Sequence, residues 1–340
     1  MDLLYSKVVM IVPSLDRGGA ERQMLRLSDE LVKRGMQIHL VSLKNKNSWG
    51  SHNLDSLSVS FGFTSLVAVL LSNSKDTRYI FWMSIPVLVG RCLPLINSRF
   101  AIRASVVKPI LLRLFILTSR SNQITMFNSR YALTKYKDLG LVRGKTVYIP
   151  NYISVHKKTA VSYDKEKFTL FMVAHYRHNK DHETVFKALS SLPKSDCKNL
   201  QVIMFGNAGD NNELLEKIQH YRLKDIVIHR GLVDNPWEYG LPDLNLLSSK
   251  AEGTPNVILE GCSLGIPYLM SDIPELKEVH FELRAGELFE AGNAQSLSEK
   301  ILSLRKNREL LKQYGCVAED MIGKVYSDKK ITRLWLKFLE

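Results

Sequence analysis

The sequence predicts an α/β protein of two domains, each built on a parallel sheet. Apolar, β-branched runs alternate with helical patterns, the alternation restarts after residue 167, and a polar, proline-punctuated stretch separates the two series. The first series opens with Val8–Val12, a strand. SLDRGGAERQ follows as a glycine turn, and Met24, Leu27 and Leu31 then recur at helical spacing up to Arg34-Gly35. Gln37–Leu43 reads as the next strand. The second series runs Phe168–Ala174 (strand), Glu183–Leu192 (helix), Gln201–Phe205 (strand), Glu213–Tyr221 (helix) and Ile226–His229 (strand). A further helix starts with Thr254 as N-cap and Pro255 at its first position, and stops roughly ten residues on at Leu264-Gly265. Ile266–Met270 reads as the strand after it. The divider, TVYIPNYISVHKKTAVSYDKEK, places the domain junction near residue 155.

A chain of 340 residues, 45% hydrophobic and 24% charged, suits two domains of about 150 residues each. The longest apolar runs, Phe61–Leu71 and Ile110–Leu117, fall well short of the ~20 residues that span a bilayer. MDLLYSKVVMIVPSL reads as a first strand rather than a signal peptide. Cys92, Cys197, Cys262 and Cys316 are scattered without CxxC or zinc spacing, so free thiols in a reducing cytoplasm are expected.

The charge is lopsided. Residues 1–150 hold 21 Lys and Arg against 8 Asp and Glu, which is the whole of the net +13; residues 151–340 balance at 26 of each. Such asymmetry points to phosphate, membrane or nucleic acid as partner of the first half, against the plainer reading of charge for solubility. Between Thr77 and Lys137 there are ten Lys and Arg and no acid, and Arg103, Lys108, Arg113 and Arg120 stand among apolar residues in IRASVVKPILLRLFILTSR. As a basic wall, Arg103, Arg113 and Arg120 would face a lipid diphosphate at an anionic membrane surface. No RNP, helix-turn-helix or finger pattern accompanies the charge, so nucleic acid is not expected as a partner.

The stretch KAEGTPNVILEGCSLGIPYLMSD carries Glu252 and Glu260 on either side of an apolar run. An unpaired carboxylate in an apolar setting is costly, so these acids need a reason. A helix starting at Thr254 would point free amides beside Gly253, an arrangement suited to phosphate. Carboxylates next to it would accept hydrogen bonds from sugar hydroxyls, which together suits a nucleotide-sugar. Spacing alone leaves open a solvated Glu252 and a Glu260 paired with a nearby lysine. His175, His178 and His182 have metal-like spacing, but Arg177 and Lys180 lie among them and repel a cation; no metal or other cofactor is expected.

EGTPNVILEGCSLGIPYL resembles the two-glutamate signature of family 4 retaining glycosyltransferases. Ser14–Leu31, with GGAERQMLRLSDEL, is similar to the first loop and helix of that family, and TVYIPNYIS (146–154) to its interdomain segment. VAHYRHNKDHETVFKAL (173–189) resembles its phosphate loop and IMFGNAGDNNELLEKI (203–218) the strand and helix beyond. The resemblance implies a GT-B architecture, two Rossmann-like domains facing across a cleft. Residues 1–153 would bind the acceptor and 154–322 the donor, with a helix in 323–340 packing back on the first domain.

It also implies roles. Glu260 would take the ribose hydroxyls and Glu252 the donor sugar, while the amides of Gly253, Thr254, Asn256 and Val257, around Pro255, approach sugar and diphosphate. Lys180 would neutralise the diphosphate. The family's arginine five residues earlier is His175 here, and Arg177 would take its place. Gly206 and Asn207 would lie beside the donor, and Gly19 would bring backbone to its phosphate from the facing domain. Two departures stand out: Ile85 occupies the position of a histidine near the donor sugar, and Tyr152 replaces the glycine of PNG, read as a hinge variation. The expected activity is transfer of a sugar, from UDP rather than GDP, to a glycan or lipid-linked acceptor in cell-surface polysaccharide synthesis, peripheral to the inner face of the membrane. A GT-B nucleotide-sugar epimerase or a phosphorylase is the alternative.

Overall fold

The computed structural model describes residues 5–16, 18–44, 57–71, 75–93, 97–103, 109–153 and 166–340. Lys108 and the middle of the divider, 154–165, lie outside the described residues. The chain forms two compact units, one of residues 1–152 with 328–340, the other of residues 153–327.

The first unit runs β1 (Lys7–Val12), α1 (Gly19–Val32), β2 (Gln37–Ser42), β3 (Ser58–Phe61), α2 (Gly62–Leu71), β4 (Thr77–Trp82), α3 (Ser84–Cys92), β5 (Ser98–Ile102), α4 (Pro109–Thr118), β6 (Ile124–Phe127), α5 (Arg130–Asp138) and β7 (Lys145–Tyr148). Its strands form one parallel sheet in the order β3-β2-β1-β4-β5-β6-β7. The central strands, KVVMIV and TRYIFW, are buried on both faces, which is why they read as near-continuous apolar runs.

The second unit runs β8 (Phe168–Val173), α6 (His182–Ser190), α7 (Lys194–Cys197), β9 (Leu200–Phe205), α8 (Glu213–His220), β10 (Val227–His229), β11 (Leu244–Leu247), α9 (Asn256–Ser263), β12 (Tyr268–Ser271), α10 (Pro274–Leu283), β13 (Gly286–Phe289), α11 (Ala294–Lys306) and α12 (Arg308–Val325). Its parallel sheet has the order β10-β9-β8-β11-β12-β13. The last helix, α13 (Asp328–Leu339), belongs to the first unit. The division therefore falls after residue 327 rather than 322. Helix α12 keeps burying Leu311, Gly315, Ala318 and Ile322, and Tyr326 Oη donates to Glu282 Oε2 at 2.6 Å, so the chain stays with the second unit to that point.

Buried arginines hold α13. Trp335 stacks on Trp82 with centroids 5.5 Å apart. Arg99 Nε donates to Phe338 O at 2.7 Å and Arg78 Nη2 to Glu340 O at 2.8 Å, supplying donors to helix-terminal carbonyls that have none within the helix. Tyr152 is also fastened here and is no simple hinge variation. Its hydroxyl lies 3.0 Å from Thr332 Oγ1, and the Gln23 amide brackets its backbone, accepting from Tyr152 N at 2.6 Å and donating to Tyr152 O at 2.7 Å.

The same burial corrects the reading of the basic stretch. Of its ten cations, Arg78, Arg91, Arg99 and Arg103 are buried. Arg91 donates to Leu141 O at 2.9 Å and lies over the rings of Phe100 and Phe115. Arg103 is not part of a surface wall: it donates to Asn151 Oδ1 and sits 4.9 Å from the Trp82 ring. Burial lowers its pKa to about 9, against the opposing pull of Glu21. Packing thus explains part of the sign of the charge, because a guanidinium offers an apolar plane and a fork of donors for main-chain carbonyls. Arg113 and Arg120 are exposed.

Candidate active site

In the second unit the chain leaves β8 for β9 and β10 on one side, then crosses to β11, β12 and β13 on the other. The sheet order reverses between β8 and β11, and open parallel sheets bind ligands outside the strand C-termini at such a point. The two segments that emerge there are 174–181 and 248–255, which hold Arg177, Lys180 and Glu252.

These segments are bonded to each other. Lys180 Nζ lies 2.5 Å from Glu252 Oε1, and Ser249 Oγ donates to the same oxygen at 2.5 Å. Lys250 Nζ pairs with Asp181 Oδ1 at 2.9 Å, while Lys250 N donates to Asn179 O at 2.8 Å. Ser248 Oγ donates to Lys180 O at 2.8 Å. Lysine and glutamate 72 positions apart are thereby held together, half-buried, at the reversal of the sheet. Arg177 is exposed, and its guanidinium makes no hydrogen bond or ion pair among the described residues. Asp181, Lys250, Arg177 and His182 line a cavity of about 370 Å³. A larger one, about 570 Å³, lies at the opposite ends of the strands, around Lys167, Leu200 and Ile226.

Helix α9 begins one residue later than the sequence suggests and has eight residues, Asn256–Ser263. Pro255, not Thr254, is at the N-cap, with no side-chain cap: at ψ 79° Pro255 has not turned into the helix. Thr254 O instead accepts from Asn256 N at 3.0 Å. In the first turn of α9, Ile258 N and Leu259 N donate to Pro255 O at 3.0 and 3.2 Å, which leaves the Val257 amide as the one turned towards Gly253 and Thr254 without an intrahelical acceptor. Val257 lies in that turn, and its carbonyl accepts from Asn245 Nδ2 at 2.8 Å. Glu260 is buried one turn further on.

Gly206 and Asn207 join the β8 and β9 loops. A Cβ at Gly206, where φ is +134°, would stand 2.4 Å from Ala174 O, so only glycine lets the two backbones approach. Asn207 N donates to His175 Nδ1 at 3.1 Å and Asn207 O accepts from Tyr176 N at 2.8 Å. His175 is thus an acceptor here; burial, with Arg177 and Lys180 nearby, lowers its pKa. It replaces the charge of an arginine with a neutral ring. Among the described residues no three His, Cys, Asp or Glu side chains converge to hold a metal ion.

His182 opens α6 between the Tyr176 and Phe186 rings, and burial pushes its pKa down to about 4. Its protonation therefore favours the unfolded chain. The stability gained from a neutral His182 is complete above pH 6.5 and is lost as pH falls towards 4, about 3 kcal/mol in all. The melting temperature of the second unit should fall through that window, and less steeply in His182→Leu; equal acid slopes in the two chains would remove His182 as the cause.

The first unit has its own reversal, between β1 and β4. Gly19 is the first residue of α1, after an extended Gly18. The Glu21 carboxylate folds back over Gly18: a Cβ there would stand 2.4 Å from Glu21 Oε2, the movable end of that side chain. Met83 follows β4 at φ 73°, ψ 172°, a region that is nearly glycine-only and costs about 1–3 kcal/mol. Sequence reasoning missed Met83, since nothing in the string FWMSIPV marks the strain. It also missed Ser249, although a Ser-Ser pair closing the apolar run LNLL is a visible signal. Ile85 is exposed at the first turn of α3.

Residues 156–321 match the family described as glycosyl transferases group 1. That segment is a group 1 glycosyl transferase domain. Over 213 residues the chain is 24% identical to N-acetyl-alpha-D-glucosaminyl L-malate synthase of Bacillus anthracis, covering 61% of this chain and 55% of the relative. It thus spans little more than half the length of that relative. A Campylobacter jejuni alpha-1,4-N-acetyl-D-galactosaminyltransferase, whose name gives a diNAcBac-PP-undecaprenol-linked glycan, is 25% identical over 82% of this chain and 84% of its own length. The crystal structure of Anabaena Alr3699/HepE in complex with UDP superposes with a TM-score of 0.83 at 16% identity, over 98% of this chain and 99% of that one. The fold is therefore of the GT-B type, with two Rossmann-like units, and the group 1 domain contains every candidate donor-site residue except Gly19.

Proposed function

We propose that the chain is a retaining glycosyltransferase that moves a sugar from a UDP-linked donor to a glycan or lipid-diphosphate acceptor, in cell-surface polysaccharide synthesis at an anionic membrane surface. The observation that carries this reading is the Lys180–Glu252 pair beside the amides of α9, at the reversal of a parallel sheet. The UDP in the Anabaena complex and the diphospho-undecaprenol in the Campylobacter name support the two ends of the reaction.

In the reaction, the bond from the anomeric carbon to the diphosphate oxygen breaks and the acceptor oxygen bonds to that carbon on the same face. The acceptor proton passes to the departing diphosphate, so no protein nucleophile is needed. Lys180 and Arg177 meet the charge that develops on the leaving group, and the amides of Gly253–Val257 add to it. Their charge does what a divalent cation would otherwise do, and the reading includes no metal. Glu252 faces the sugar and Glu260 the ribose.

Glu260→Gln tests the donor site. Charge-assisted hydrogen bonds contribute about 1.5–3 kcal/mol, so UDP affinity in calorimetry should fall roughly tenfold or more. Unchanged affinity in a chain that melts like the parent would remove the ribose assignment. A thermal-shift panel of UDP- and GDP-sugars then separates the two nucleotides.

A further inference from the structure

On one face of the first sheet, α2, α3, α4 and α5 contribute to a single core, through Leu66, Val87, Phe115 and Tyr136 among others. A surface helix normally turns polar residues outwards. Helix α2, GFTSLVAVLL, has no charged residue and α4, PILLRLFILT, only Arg113. One side chain of each is fully buried, Leu66 and Phe115. Facing water are Leu71 at 82% exposure and Phe63 at 64% on α2, with Ile110 at 81% and Leu117 at 79% on α4; Val67, Leu114 and Ile116 are exposed as well. Single exposed apolar residues are ordinary, but seven on two helices of one layer are not.

We propose that α2 and α4 sink these outward faces into the interface of an anionic bilayer, with Arg113 and Arg120 at the headgroups. The proposal rests on the membrane part of the function proposed above and specifies its contact: insertion of apolar side chains, not attraction of charge alone. Length supports it. A ten-residue helix is about 15 Å long, half the ~30 Å hydrocarbon core, so it can lie in the interface but not cross. Charge supports it too. The exposed ionic side chains of α4, α5 and the turn between them are Arg113, Arg120, Arg130 and Lys137 against Asp138. That excess matches anionic lipid and would repel a second copy of the same face. With Arg78, Arg91, Arg99 and Arg103 inside the protein, four of the ten cations of 77–137 cannot reach lipid, whereas the seven apolar side chains can.

The test is co-sedimentation of the full chain with vesicles of phosphatidylcholine alone or mixed with phosphatidylglycerol, at about 0.1 M and about 1 M salt. The expected result is binding to the mixed vesicles that weakens at high salt but persists. Ile110→Ser with Leu117→Ser should lower the salt-resistant part about tenfold or more and leave the melting temperature unchanged, because those side chains are already in water. Arg113→Glu should lower mainly the low-salt part. Complete release at 1 M salt, or parental binding by the serine variant, overturns the proposal. So does a dimer in light scattering that the serine variant dissolves without any vesicle binding. UDP calorimetry on the same samples keeps the readings apart: lost vesicle binding with intact UDP binding sinks only the membrane contact, and the reverse sinks the donor site.

Discussion

Lys180→Ala is expected to lower turnover by about 10²-fold or more while UDP affinity changes far less, because the charge it meets is greatest in the transition state. The ion pair with Glu252 complicates the experiment in a useful way. Removing the lysine also leaves Glu252, whose side chain is 10% exposed, without its cation, so stability will fall as well. A double-mutant cycle separates the two effects. If the pair only braces the loops 174–181 and 248–255, Lys180→Ala should lower turnover no further in a Glu252→Gln chain, where the pair is already broken. If Lys180 also acts on the diphosphate, the double variant regains stability over Lys180→Ala and yet turns over about 10²-fold more slowly than Glu252→Gln alone. Turnover of Lys180→Ala within a few-fold of the parent would place the leaving-group charge elsewhere, and Arg177, exposed on the same loop, becomes the group to test.

The parts of this site differed in how far the sequence disclosed them. Strand and helix identity was legible wherever an apolar run was long and periodic, as at β1, α1, β8 and α9, because burial writes that period directly into the sequence. The start of α9 slipped by one residue because the Thr-Pro rule describes the commonest cap, whereas Pro255 here sits outside the helix. The contact between Lys180 and Glu252 was beyond reach: it depends on β8 and β11 being neighbours, a property of sheet order and not of any local pattern. One convention misled: cations were read as surface, which misplaced Arg103. The apolar run 110–117 gave no sign that Ile110, Leu114, Ile116 and Leu117 face outwards while Phe115 is buried. Composition can count such residues but cannot say which way each one points.

Arg103→Met and Arg113→Met, ten positions apart in one basic stretch, are expected to have opposite consequences. Arg103 donates to Asn151, covers the Trp82 ring and faces the buried Glu21. Methionine fills much of the space but removes the donor from Asn151 and the countercharge from Glu21. Breaking a buried charge interaction from one side costs about 3–5 kcal/mol. The damage should extend further, since Trp82 stacks on Trp335 and so helps to hold α13, while Glu21 folds over Gly18 at the start of α1. Arg113 is exposed on α4, where a substitution is worth no more than about 0.5 kcal/mol either way. Two units need not unfold together, so the measurement should follow the first one alone: near-ultraviolet circular dichroism of the Trp82–Trp335 pair during guanidinium denaturation. The midpoint should drop sharply for Arg103→Met and stay in place for Arg113→Met. Equal midpoints would mean that Arg103 is solvated after all, and the basic wall read from the sequence would then regain its third arginine.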